Sequence, residues 1–122
     1  MNLIDQTTFG EEGNCFAACV ATVLGMRLEE VPDFNADGCW LVNLQRWAKE
    51  RGLSVRVWTA GEGPAPAMFH GKVVIAGGQG PRGRRHGVVM RNSRMLHDPH
   101  PSRAGLTRID HCVLLRPKRR TG

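Results

Sequence analysis

The sequence predicts an α+β domain in which two N-terminal helices pack on a mainly antiparallel sheet of about five strands. Two observations carry this. Apolar residues recur at helical spacing from Phe16 to Trp47, and beyond Gly52 the period changes to two. The chain's 122 residues make one domain by length, able to bury roughly two thirds of its unfolded surface. We expect the domain over residues 1–116 and a basic tail over 117–122.

The first helix is expected from about Cys15 to Leu24. Asn14 suits its N-cap and Gly25 the left-handed position after its end. Phe16, Val20, Val23 and Leu24 share a face, and Ala17, Ala18 and Ala21 let neighbouring backbone approach, so this helix should be buried. LEEVPDFNADG reads as a short turn and loop, because Pro32 disfavours helix at Val31. A second helix, about Cys39 to Arg51, follows from Trp40, Leu41, Leu44 and Trp47, with Arg46, Lys49 and Glu50 outside and Gly52 as its stop.

Strands follow. SVRVW sets Val55 and Val57 against Ser54, Arg56 and Trp58, the pattern of a half-buried strand, and GEGPAPA is a loop. KVVIAGG, RHGVVMRN, RMLHDP and TRIDHCVLL read as four more strands, separated by GGQGPRG, a turn at Asn92 and Ser93, and HPSRAGL. Trp40, Trp47 and Trp58 are expected in the core. Gly77 to Gly83 is expected as a mobile loop, or as a gate whose arginines favour acidic substrates.

Charge and cysteine content narrow the function classes. The formal charge is +6, from 17 Lys and Arg against 11 Asp and Glu, with much of the excess in RGRR at Arg82–Arg85 and RPKRR at Arg116–Arg120. No aromatic residues are interleaved with these runs to stack bases, which argues against nucleic acid as the partner. A basic nucleic-acid-associated protein is kept as an alternative. The apolar runs are far shorter than the ~20 residues a membrane span needs. The N-terminus lacks a basic start followed by an apolar run, so a cytoplasmic location is expected. Cys15, Cys19, Cys39 and Cys112 contain no CxxC and no HxxxH completes a ligand set, so free thiols and no metal are expected.

Cys15 stands where a polar loop meets the first helix. Unpaired N–H groups and the helix dipole favour a negative charge there, and a thiolate is such a charge. A nucleophilic cysteine also needs a histidine to take its proton and a polar group to orient that histidine. His86 begins an apolar strand and Asp98 closes the next. If those strands pair as a hairpin, the two fall towards one end of the sheet. Cys19, Cys39 and Cys112 read as structural. His97 should point to the opposite face from Asp98, His100 lies in a loop, and His70 and His111 read as local hydrogen bonders.

A cysteine opening a buried helix, a histidine heading a strand as H-G-V-V-M, and an aspartate in the following D-P together resemble the papain-like cysteine peptidases. The pattern is most similar to the compact bacterial branch that removes double-glycine leaders from bacteriocin precursors, and it covers roughly Gln6 to Pro99. The resemblance implies a papain-like fold with Cys15 as nucleophile, His86 as general base and Asp98 orienting His86. It also implies an oxyanion role for Gln6, which lies nine residues before Cys15, a wider gap than the family's, with GEEG between. Phe16 follows the cysteine where the family commonly has glycine. The implied activity is acyl transfer from a peptide or amide substrate, to water or to an amine, with no cofactor. The alternative on the same scaffold is a peptide- or protein-binding module without catalysis.

Overall fold

The computed structural model describes residues 1–10 and 13–118. Helix α1 is Cys15–Leu24 and helix α2 Trp40–Glu50. The strands are β1 Leu53–Thr59, β2 Val73–Gln79, β3 Arg85–Arg91, β4 Arg94–His97 and β5 Arg108–Pro117. All five strands form one sheet in the order β1-β5-β2-β3-β4, and every neighbouring pair is antiparallel. The two helices pack on this sheet, sharing one core cluster with it.

Local chemistry explains the element ends. Gly25 adopts φ +69°, the left-handed conformation that closes α1, and its N–H returns to the carbonyl of Ala21. Helix α2 starts one residue later than expected, with Cys39 at its N-cap position and Arg51 closing it. The LEEVPDF segment holds one turn of 3₁₀ helix at Leu28–Glu30, and two more flank GEGPAPA at Ala60–Glu62 and Ala67–Phe69. Only Gly80 to Arg84 form the glycine- and arginine-rich turn, because Gly77 and Gly78 are residues of β2.

Alternation along the strands divides the core in two. Val55, Val57, Ile75, Val89, Val113 and Leu115 meet the helices. Trp58 faces the other way and joins Phe69, Val74 and Leu114 in a smaller cluster. The last strand inserts between β1 and β2. Its run Val113–Leu114–Leu115 is buried throughout, and only a central strand removes successive residues from water on both faces. Pro117 still pairs with Leu53 and the Lys118 N–H donates to the Gly52 carbonyl at 2.9 Å. Pro117, the first residue of the expected tail, therefore belongs to the sheet, Lys118 is held beside it, and residues 119–122 lie outside those described.

The β2–β5 register shifts between Gly77 and Gly78. A Cβ on Gly78 would stand 1.8 Å from the carbonyl oxygen of Arg108, a backbone atom that cannot swing aside. Gly78→Ala is accordingly expected to cost about 3 kcal/mol, read as a fall in thermal midpoint. An unchanged midpoint would mean that the bulge yields freely.

Candidate active site

Cys15 is the first residue of α1 and is half-buried. Asn14 occupies the N-cap position, yet its side chain makes no cap bond. Its Oδ1 instead accepts from the N–H groups of Thr7 and Thr8 at 2.9 and 3.0 Å, and its Nδ2 donates to the Thr7 hydroxyl. The expected capping role is thus corrected: Asn14 fastens the N-terminal segment to the helix start. Among the described residues no side chain caps the first turn of α1, the turn that Cys15 opens.

His86 is 8% exposed and its Nε2 lies 2.6 Å from Oδ1 of Asp98, which is 1% exposed. An ionised carboxylate only accepts, so Nε2 donates the proton and Nδ1 is the free basic nitrogen. Cys15 lines the same cavity as the imidazole and bears on its proton affinity. Burial, the largest single influence, disfavours the imidazolium. Contact with Cys15 and Asp98 outweighs it and leaves His86 above the ordinary histidine value.

Asp98 is held from several sides. Oδ1 also accepts from the His100 N–H at 2.9 Å, Oδ2 accepts from the Gly105 N–H at 2.8 Å, and the Asp98 carbonyl accepts from Arg103 at 2.5 Å. Burial pushes the carboxyl up, but the bonds from His86, His100 and Gly105 prevail and hold it below the usual aspartate value. Arg103 reaches on to both oxygens of Asp5. The N-terminal segment is thereby tied to the loop that shapes Asp98.

Gln6 enters through the same tie. Its backbone N–H donates to the Pro99 carbonyl at 3.1 Å, and its side chain lines a cleft with Cys15 and His86. One amide hydrogen is taken by the Thr8 carbonyl at 2.9 Å, which fixes the orientation of the amide. Its Oε1 is buried and has no hydrogen-bond partner among the described residues. Gln6 thus lines the same cleft as Cys15, and its second amide N–H has no acceptor among the described residues.

The remaining candidates separate clearly. Cys19, one turn deeper in α1, is fully buried, and burial first, then the neighbouring Cys15 and Asp98, push its thiol well up. Cys39 is exposed and Cys112 half-buried. His97 bonds the Ile4 carbonyl at 2.9 Å and approaches Asp5 at 3.2 Å. His100 bonds Ser102, and its ring centroid lies 6.2 Å from that of His86. Among the described residues no three His, Cys, Asp or Glu side chains cluster as a cation site would. None of their helices is long and apolar enough to cross a membrane.

Two residues that sequence reasoning placed elsewhere line the cavity beside Cys15. His111 and Trp40 face it, their rings 5.5 Å apart. No hydrogen bond to the His111 ring is formed by a described residue, which corrects the expected local bonding. Trp40 is half-buried, packing against the core cluster on one side and walling the cavity on the other. The alternation of β5 held the signal, since His111 falls on the same face as Val113 and Leu115. On a second flank, Arg82, Arg84 and Arg85 line a cleft that also reaches Cys15 and His86.

Compared with protein-family models, curated proteins and solved structures, the chain has no match.

Proposed function

We propose that the protein is a thiol-dependent acyl-transfer enzyme, a papain-like cysteine peptidase or amidase. The observation that supports it most is His86, whose Nε2 lies 2.6 Å from the buried Asp98 while the residue lines one cavity with Cys15. Ordered this way, the three groups supply what a thiol nucleophile lacks alone: a base, and a fixed orientation for that base. The Cys15 proton passes to Nδ1 of His86 and the sulfur attacks an amide carbon. The oxyanion is met by the Cys15 N–H and the Gln6 amide. His86 then protonates the departing amine as the C–N bond breaks, leaving an acyl group on sulfur. Water, or a second amine, deprotonated by His86, attacks that thioester and releases Cys15. No step calls on a cofactor.

The test is competition among the protein's own thiols. Native protein is treated with limiting iodoacetamide at neutral pH and each cysteine is scored by mass spectrometry. Half-buried Cys15 is expected to react ahead of exposed Cys39, because thiolate content rather than access sets the rate. Alkylation of Cys39 first, with Cys15 modified only in denaturant, would sink the catalytic reading in favour of a binding module.

A further inference from the structure

Two features of the sheet weaken the fold and meet at one point facing Cys15. Gly77 lies inside β2, where glycine contributes neither packing nor strand preference. His111, its cross-strand partner on β5, is a half-buried imidazole to which no described residue donates or accepts a hydrogen bond. The two are bound together. A Cβ at position 77 would stand 2.3 Å from Cε1 and 2.6 Å from Nε2 of His111, so the ring occupies the space that any other residue at 77 would fill. An aliphatic residue at 111 would satisfy the core better than an unpartnered imidazole.

What the pair does provide is a wall. The His111 ring lies against Trp40, and together with Phe16, Ile75 and Gly77 they line a cavity of about 360 Å³ that opens at Cys15 and His86. Among the described lining residues there is no carboxylate, and the one guanidinium, Arg85, is already paired with Asp110 at 2.7 Å. Burial, and to a lesser degree the charge of Arg85, hold His111 below the ordinary histidine value against the pull of Asp110, so its ring is neutral near pH 7. The wall formed by His111 and Trp40 is aromatic, and neither ring nitrogen of His111 has a hydrogen-bond partner among the described residues.

We infer that this cavity receives the acyl side of the substrate as a neutral, apolar or aromatic side chain. His111 is its specificity-determining residue, bonding the peptide group next to that side chain. A cationic side chain finds no carboxylate among the described lining residues and meets Arg85. The inference rests on Cys15 being the nucleophile.

The experiment uses two peptidyl acyloxymethyl ketones that differ only in the residue before the ketone, phenylalanine or lysine. Second-order labelling of Cys15 is measured in the wild type, His111→Ala and His111→Gln. The phenylalanine reagent is expected to react at least tenfold faster in the wild type. His111→Ala should reduce that ratio at least threefold, and His111→Gln, which keeps a hydrogen-bonding group, should retain more of it. Using the ratio within each variant removes any general loss of reactivity. Equal rates for the two reagents, or a ratio indifferent to His111, would overturn the specificity inference while leaving acyl transfer intact. If neither reagent labels Cys15 ahead of Cys39, both readings fall together.

Discussion

Replacing His86 with alanine is expected to erase the advantage of Cys15 over Cys39 in alkylation. An ordinary thiol is only a few per cent ionised at neutral pH, so a histidine that accepts its proton can raise the rate by about 10- to 30-fold. Turnover of an amide substrate should fall further, by about 10²–10⁴-fold, because the same imidazole must also protonate the leaving amine. The comparison is clean because Cys39 lies at the other helix, is exposed, and serves as an internal reference in every sample. Equal Cys15 rates in the wild type and His86→Ala would show that the imidazole does not activate the thiol. The stability of the variant carries a further sign. His86 titrates above its unfolded value in the folded chain. Its contribution is therefore complete below about pH 6.5 and fades as pH rises through the folded value. His86→Ala should flatten that alkaline limb.

Asp98→Ala is expected to be among the most destabilising single changes in the chain, at about 3–5 kcal/mol. Its carboxylate answers His86, the His100 N–H and the Gly105 N–H, and removing it leaves buried donors without acceptors. The thermal midpoint should fall by roughly 10–20 °C for a chain of this size. Asp98→Asn keeps the shape and separates charge from packing. Because Asp98 titrates below its unfolded value, the wild type holds this stabilisation above about pH 4 and loses it as pH falls through the folded value. Asp98→Asn should lack that acid-side loss. A variant with the wild-type acid limb would assign the limb to another carboxylate, Asp5 or Asp110 being the paired alternatives.

Much of this was written locally. Helix α1 could be placed from Asn14, its apolar face and Gly25 because those signals act within a few residues of one another. The strand limits followed from period two, and the hairpin of β3 and β4 followed from the short turn at Asn92, which adopts φ +55°. That hairpin is what joins His86 to Asp98, so their meeting could be expected from the sequence. The support around them could not. Arg103 and Gly105 bond Asp98 from five and seven residues along the chain, and Arg103 ties it to Asp5, 98 residues from that arginine; nothing in their neighbourhood marks them.

By itself, then, the sequence determined the element types, the α+β class and the three side chains at the centre of the site. Each of these depends on short-range spacing or on residue chemistry. Only the tertiary structure decided that β5 lies between β1 and β2, because that choice depends on which strand gains most from burial on both faces. From that one insertion follow the contact of His111 with Gly77 and Trp40, and with it the cavity beside Cys15. The turn of the Asn14 side chain away from its helix is of the same kind: a cap residue meets whichever N–H groups the fold brings nearest, and here those belong to Thr7 and Thr8.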